Sequence, residues 1–588
     1  MDFLQGAPKS KDARGTLRRL WMYLERQRWV LIATTLLVIV TSIIDLLGPY
    51  LMGLAIDSYI SKSNLPGLAR LLGWMVASYV LAAAGTWLQT YLMAGVAQRA
   101  VRDMRTDLFA RLQTLPLRFF DQRAHGEIMS RLTNDVENIS NILATNASQL
   151  ISNVLGLVGV IIIMFVMNVP LAIVSLVVMP LTVFLTRTIA KRTRASFRET
   201  QKTLGELNGI IEETITGERV VQAYVREAAT TEQFSTVNRR LQKVALRARI
   251  FTSFMGPLMN MVNNLGLAIV ACAGGWLAVQ ALASVGEIAS FVNYASRLGR
   301  PLNQIAQLFT SIQAALAGAE RFFELLDETP ETDSPAAIPL AHIRGHVRLQ
   351  DVSFGYDAAV PVLKNVSLEA CPGQMIALVG PTGAGKTTIA NLLTRFYDID
   401  GGSIQIDHVD VTAVKKDDLR SKLGLVLQDN FLFATSVMEN IRYGRLEASN
   451  EEVIAAAKLA NADIFIHRLP HGYQTVLAER GNNLSQGQRQ LLAIARAILA
   501  DPDILILDEA TSNVDTRTEK HLQEALLRLM QGRTSFVIAH RLSTIRDADQ
   551  VLVINNGEII ERGNHESLLL QKGFYHHLYM SQFKGQVI

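Results

Sequence analysis

The segment Gly380-Pro-Thr-Gly-Ala-Gly385-Lys386-Thr387 sets glycines, a lysine and a hydroxyl in the spacing G-x-x-x-x-G-K-[ST]. Those residue types in that order suit phosphate binding. Gly380, Gly383 and Gly385 let backbone N–H groups close around a phosphate, and a helix opening at Lys386 turns its positive end towards it. Lys386 offers a point charge to the β- and γ-phosphates, and the Thr387 hydroxyl suits Mg²⁺. Thr382 and Thr388 belong to the same nucleotide-binding set. Downstream, Ile504-Leu-Ile-Leu507-Asp508-Glu509 reads as an apolar strand delivering two acids. Asp508 is placed to hold the water shell of a metal, and Glu509 to orient or deprotonate an attacking water. A strand ending in two acids says little by itself. Downstream of the glycine loop it points to a nucleoside triphosphatase.

Such a loop needs a strand before it and a helix after it. Short β-rich runs such as Val347–Phe354 and Met375–Val379 alternate here with helical stretches, which predicts an α/β domain with a mainly parallel core sheet. A polar, Pro-bearing linker, Thr329-Pro-Glu-Thr-Asp-Ser-Pro335, precedes it. Ahead of that linker the text is different. Of the 588 residues, 49% are hydrophobic and 19% charged, against about 25% charged in average soluble domains, and the apolar excess lies in the first 320. That excludes a disordered chain, a collagen-like fibre and a purely soluble enzyme. Cys272 and Cys371 make no disulfide framework, and the net charge of +4 gives no sign of a nucleic-acid partner.

Residues 1–28 are polar and basic, and the first apolar run, about 29–50, is long enough to span a bilayer uncleaved. Residues 16–28 suit a short helix on the membrane surface, with Leu17, Leu20, Trp21 and Leu24 on one face. Further runs at about 71–97, 146–168, 170–188, 253–281 and 285–315 complete six expected spans. Connections after spans one, three and five are short and nearly uncharged. Those after spans two and four are long and basic, carrying Arg99, Arg102, Arg105, Arg111 and Arg118 in one, Arg187, Lys191, Arg192, Arg194 and Arg198 in the other. Basic connections stay in the cytoplasm, so the expected topology is multi-pass in the cell's inner (plasma) membrane with both termini cytoplasmic. The stretches 98–145 and 189–250 would be helices carrying the spans into the cytoplasm. Arg297 and Arg300 lie deep in the sixth span if it starts near 285, facing a bundle interior or a wet cavity, or near the inner interface if it starts later. Asp45 is either a pathway residue or a helix-end charge.

What narrows the triphosphatase is Leu484-Ser485-Gln486-Gly487-Gln488-Arg489-Gln490. With it the soluble half resembles the nucleotide-binding domain of an ABC transporter. LSQGQ departs at one position from the commoner LSGGQ and keeps Ser485, Gly487 and Gln488. Other landmarks follow in order. Tyr356 resembles the aromatic that stacks on adenine, and Gln428 the glutamine that senses Mg²⁺ and water. Glu479-Arg480-Gly481 resembles the segment preceding the signature in exporters, Asp515 the D-loop aspartate, and His540 the switch histidine at the γ-phosphate. Six spans fused ahead of one such domain resemble a type IV (B-type) exporter half-transporter over nearly the whole chain. The resemblance implies an all-α six-helix transmembrane domain followed by an α/β P-loop domain: 1–28 an elbow segment, 29–320 the membrane domain, 321–345 a linker, 346–588 the nucleotide-binding domain. Leu115–Val136 and Glu212–Glu227 resemble that family's coupling regions.

The implied activity is ATP hydrolysis, with Mg²⁺, coupled to export of amphiphilic, drug-like or lipid-like substrates across the bilayer. In the family the signature of one domain completes the ATP site of the other, so a second half-transporter is implied. LSQGQRQ, DEATSNVDTRTE and YASRLGRPLNQ resemble the complete-site subunit of bacterial heterodimeric exporters; a homodimer is the alternative. Other classes fit less well. An ATP-gated channel or regulatory membrane ATPase sits poorly with the paired Glu509 and His540, and a dedicated lipid flippase is a variant of the same reading. The six spans argue against a soluble DNA-repair or translation ATPase. Twenty-eight residues before the first span are too few for a peptidase domain. Importers usually keep membrane and ATPase parts on separate chains.

Overall fold

The computed structural model describes residues 12–340, 342–357, 359–428, 430–508, 516–539 and 545–582. They divide into two compact units. One comprises Met1–Gln113 and His125–Glu328, the other Thr114–Ala124 and Thr329–Ile588.

The described residues of the first unit form helices joined by short connections. A short helix α1 (Ala13–Glu25) precedes the long helices α2 (Arg28–Leu54), which runs on as a wider turn to Ile60, and α3 (Leu65–Leu112). Four of the long helices, taken with their flanking turns as 28–60, 65–112, 125–167 and 227–279, are long and apolar enough among the described residues to cross a membrane. Between Thr114 and Ala124 the chain leaves this unit and makes α4 (Leu117–Asp121). It returns through short helical turns from His125 to α5 (Ala147–Met167), α6 (Val169–Thr216), α7 (Glu227–Val279) and α8 (Val285–Asp327). Long helices cover the stretches of all six expected spans, and those over the first, second, third and fifth are the four just named. The 48-residue α3 and α6 and the 53-residue α7 also extend far beyond a bilayer's need of about 20 residues. Helix α1 keeps Leu20 buried but leaves Leu17 and Trp21 more than half exposed on one face. Its inner side is tied down by Arg19–Asp327 at 2.5 Å and by the Tyr23 hydroxyl donating to Asp107 at 2.9 Å.

Helix α8 begins at Val285 behind a capping box. The Ser284 hydroxyl accepts from the Glu287 N–H at 3.0 Å, and Glu287 accepts from the Ser284 N–H at 3.1 Å. The helix that covers the expected sixth span therefore starts at Val285. Here α2 and α8 meet backbone to backbone: a Cβ on Gly286 would lie 2.2 Å from the Gly53 carbonyl oxygen, the close approach that small residues allow between membrane helices. Pro49 inside α2 cannot donate to the carbonyl four residues back, at Asp45. Arg297 donates to that carbonyl at 3.1 Å, and the Tyr294 hydroxyl to the next one, Leu46, at 2.7 Å.

The second unit holds two sheets. Strands β1 (Val347–Phe354), β2 (Leu363–Ala370), β4 (Gly401–Ile406) and β5 (Val409–Asp410) form an antiparallel sheet in the order β2-β1-β4-β5. The other sheet runs β10-β9-β3-β8-β7-β6, with β3 (Met375–Val379), β6 (Leu423–Val426), β7 (Ile504–Asp508), β8 (Thr534–Ile538) and β9 (Gln550–Asn555) parallel; only β10 (Glu558–Gly563) pairs antiparallel. The expected parallel core is present, and the antiparallel sheet is an addition. Strands β7 (ILILD) and β8 (TSFVI) are buried nearly end to end because both faces are covered. Alternate residues of β7 feed different cores. Leu505 and Leu507 pack with Leu492 and Ile494 of α10 (Gln486–Ala500), while Ile504 and Ile506 pack with β1, β2 and Ile389 of α9 (Lys386–Leu393).

Candidate nucleotide-binding site

The parallel sheet brings the sequence-predicted residues to one edge. Strand β3 pairs with β8 (Leu378↔Ile538), β8 with β7 (Ile538↔Asp508), and β7 with β6 (Leu507↔Val426). The loop after β3, Asp508 closing β7 and Gln428 two residues beyond β6 all fall at the carboxyl ends of neighbouring strands, where open α/β sheets bind ligands. Glu509, Asp515 and His540 lie outside the described residues; the strands that lead to Glu509 and His540 end here too.

The loop leaves β3 at Gly380, where a Cβ would sit 2.1 Å from the Ile554 carbonyl oxygen. Gly383 and Gly385 have φ of +81° and +105°, backbone that a side chain disfavours. Gly385 stands immediately before α9, so the helix opens on its N–H groups with no side-chain cap. Thr382, Gly383 and Thr387 are exposed, and Thr388 is buried. Lys386 is 7% exposed and folds back over its own loop, donating to the carbonyls of Gly380 at 2.8 Å and Pro381 at 2.9 Å. Burial pulls its ammonium below the ordinary lysine range, and the Asp508 carboxylate acts in the opposite sense. The residues fit a nucleotide triphosphate with Mg²⁺: an uncapped helix end among glycines, a cation beside it, and the Thr387 hydroxyl, Asp508 and Gln428 at the same edge.

Tyr356 flanks the loop. Its hydroxyl lies 3.3 Å from Thr388 Oγ1 and accepts from Asn391 Nδ2 at 3.1 Å, while the ring, 38% exposed, packs edge-on against Tyr397. Tyr397 in turn donates its hydroxyl to Asp121 of α4. Burial first, and that hydrogen bond second, push its phenol above the ordinary range. Arg118, also on α4, donates to the Tyr356 carbonyl at 3.2 Å. The sequence marked the α4 region and Tyr356 separately. It gave no signal for Tyr397, an ordinary tyrosine after α9.

Ser485, Gly487 and Gln488 sit elsewhere in the same unit. Ser485 is the N-cap of α10: its hydroxyl accepts from the Gln488 N–H at 3.2 Å, and the Gln488 side chain accepts from the Ser485 N–H at 2.9 Å. Ser485 remains exposed and Gly487 is buried. Leu484 belongs to the core beneath α10, whereas the glycine loop's Ala384 belongs to the other core. Before it, Arg480 and Gly481 both take left-handed backbone, φ +56° and +66°.

Residues 31–302 match the family model described as the ABC transporter transmembrane region, and 363–512 the one described as ABC transporter. An uncharacterized ABC transporter ATP-binding protein of Bacillus subtilis, YfiC, is 47% identical over 98% of this chain and 96% of its own length. A fatty acid ABC transporter ATP-binding/permease protein of Mycobacterium bovis is 42% identical over 87% of this chain and 80% of its own. Among solved structures, that of a bacterial Atm1-family ABC exporter with ATP bound superposes with a TM-score of 0.76 at 31% identity, covering 95% of this chain and 98% of that one.

Proposed function

The chain belongs to the ABC transporter family as a type IV half-transporter, its membrane region fused ahead of its ATP-binding domain, and from that premise we propose that it hydrolyses ATP to export amphiphilic, drug-like or lipid-like molecules. The observation that carries this reading is the shared strand edge on which the glycine loop, Asp508 and Gln428 converge. In this reading Tyr356 stacks on the adenine, and Gly380, Thr382, Gly383, Gly385, Lys386 and Thr388 enclose the phosphates. Thr387, Asp508 and Gln428 would hold Mg²⁺. Bound ATP supplies the phosphoanhydride whose cleavage powers the cycle. Glu509 orients the attacking water and takes its proton, and His540 steadies the γ-phosphate end.

Ser485, Gly487 and Gln488 crown a helix end built into a different core from the glycine loop, and with Asp515 they would face the nucleotide of a second half-transporter. A heterodimer is favoured on the resemblance of LSQGQRQ and DEATSNVDTRTE to complete-site subunits. The fatty acid relative supports an acyl-chain cargo, and the apolar helices suit one. With the basic long connections on the cytoplasmic side, export runs outward across the inner membrane. The test is ATPase activity of the purified transporter in lipid, for the wild-type chain and its Glu509→Gln variant. The variant should retain ATP and lose turnover; hydrolysis near the wild-type rate would overturn the catalytic assignment.

A further inference from the structure

Within the helical unit, α2, α3, α5 and α8 line an open cavity of about 570 Å³ whose walls are mostly polar. Ser42 and Asp45 of α2, Thr86 of α3, Asn153 of α5, and Arg297 and Gln304 of α8 line it. Ser42 and Asp45 stand three residues apart on α2, and Arg297 and Gln304 seven apart on α8, so on both helices the polar groups share one inward face. Ala82, Ala83 and Gly156 on the same faces leave the room. At 1.5 Å per residue, Arg297 lies about 18 Å from the start of α8, and Asp45 about 22 Å from Ile60, where its helix ends. Against a hydrocarbon core of about 30 Å, both are deep.

Arg297 Nη1 reaches Asp45 twice, at 3.1 Å to its backbone oxygen and 3.1 Å to Oδ2. The first contact fills the gap left by Pro49 and pins the guanidinium. The second leaves the carboxylate unusually open, with the Asp45 side chain 64% exposed and Arg297 34%. Ser42 Oγ and Asn153 Nδ2, both on the cavity wall, are buried and meet no hydrogen-bond partner. Unpaired polar atoms at membrane depth are costly unless something polar fills the chamber. A structural ion pair would explain the Asp45–Arg297 contact alone. It does not explain a roomy chamber with two further unmatched polar atoms.

We propose that this cavity is a head-group site for zwitterionic amphiphiles, molecules whose polar end carries both an ammonium and a phosphate or carboxylate. The inference rests on the reading of the chain as an amphiphile exporter and names its preferred cargo. Among the described side chains the wall carries one positive and one negative charge, already matched. A purely anionic head would gain Arg297 and face Asp45; a purely cationic head would meet the converse. A zwitterion set antiparallel to the pair meets both, while Ser42 and Asn153 find partners in its ester or hydroxyl groups.

The experiment compares three single-chain amphiphiles of equal chain length: a lysophosphatidylethanolamine, a fatty acid anion and an alkyltrimethylammonium. Stimulation of ATPase activity and transport into proteoliposomes are read for the assembled transporter. The wild type should respond most strongly to the zwitterion. In Asp45→Asn the preference should swing towards the anion, and in Arg297→Gln towards the cation, each by about tenfold in apparent affinity ratio, the worth of one hydrogen bond to a charge. Asn153→Ala, which removes no charge, should weaken the zwitterion response and carries the test if a charge variant fails to assemble. An equal loss for all three amphiphiles, or a wild-type preference for the fatty acid anion, overturns the site. If no amphiphile stimulates or crosses while the ATPase still turns over, the export reading itself fails.

Discussion

Arg118 donates a hydrogen bond to the backbone carbonyl of Tyr356 at 3.2 Å, joining a five-residue helix cut from the membrane-domain sequence to the aromatic that flanks the phosphate loop. The helix α4 belongs to the same compact unit as the ATP-binding domain, although the chain on either side of it belongs to the helical unit. The Tyr397–Asp121 bond and the Glu331 N–H donating to the Thr114 carbonyl at 2.7 Å hold the same segment. A displacement of α4 therefore pulls directly on Tyr356 and Tyr397.

Weakening that attachment should uncouple the two activities. In Arg118→Ala and Tyr397→Phe, stimulation of ATPase by transported amphiphile should fall at least about fivefold, the low end of typical coupling energies, while unstimulated turnover stays within about twofold. Steady-state ATPase with and without amphiphile decides it. Undiminished stimulation in both variants would make the contacts packing only.

Gly385→Ala tests the loop backbone. At φ +105° an alanine is strained, and its Cβ would sit 2.6 Å from Leu363 Cδ2, so either the loop or the buried Leu363 side chain must give way. A destabilisation of about 1–3 kcal/mol is expected, with ATP binding lost by nucleotide fluorescence titration. Wild-type affinity would mean that the loop relaxes without harm to the site.

Much of this site was legible because phosphate chemistry forces residue types into fixed spacing: Gly380 to Thr387 and Asp508 stand where the motif and its strand require. The antiparallel sheet was not legible, since β4 pairs with β1 across some fifty residues of chain and β5, two residues long, pairs with β4 alone. Nor was the depth of Arg297. The Ser284–Glu287 capping box fixes where α8 starts, and it is a signal the sequence carries in S-x-x-E form. Tyr397 and Asp121 are ordinary residues in sequence, brought together only by tertiary packing.

Glu331, in the linker, sits between Lys416 at 3.0 Å and Arg420 at 2.7 Å and is 18% exposed. Burial alone would raise its carboxyl, but hydrogen bonds from Arg420 and Lys416 prevail and hold it below the usual 4.5. A carboxylate lowered on folding contributes stability that is present in full above its unfolded value and lost as pH falls through the folded one. The ATP-binding unit should therefore lose stability below about pH 4.5, and Glu331→Gln should flatten that stretch of a melting-temperature profile. At neutral pH the same variant should cost about 1–2 kcal/mol. Profiles that superimpose would exclude the cluster as a contributor.

Gly286→Ala probes the close approach of α2 and α8. The added methyl would meet the Gly53 carbonyl, and Asp57 with it, where Asp57 accepts from the Ser284 hydroxyl and from the Gly286 N–H at 2.8 Å. Overpacking of this kind costs about 1–3 kcal/mol, which thermal unfolding in detergent should register as a lower midpoint. An unchanged midpoint would show that the helices part there at little cost.

Ser485 carries two roles that substitution can separate. As N-cap of α10 it exchanges hydrogen bonds with Gln488, and losing such a cap costs about 1 kcal/mol. As the signature serine it would also present its hydroxyl to the nucleotide of the facing half-transporter. Ser485→Ala removes both, so a fall in ATPase activity with a lowered midpoint would not distinguish them. Ser485→Asp does, because aspartate caps a helix start as well as serine and its charge favours the helix dipole, yet it places a carboxylate where the γ-phosphate would arrive. The expected result is a melting midpoint at or above wild type, with ATPase activity reduced at least about a hundredfold, in line with loss of a phosphate-stabilising donor. Retained turnover in Ser485→Asp would confine Ser485 to capping and leave the facing site to the Gly487 backbone.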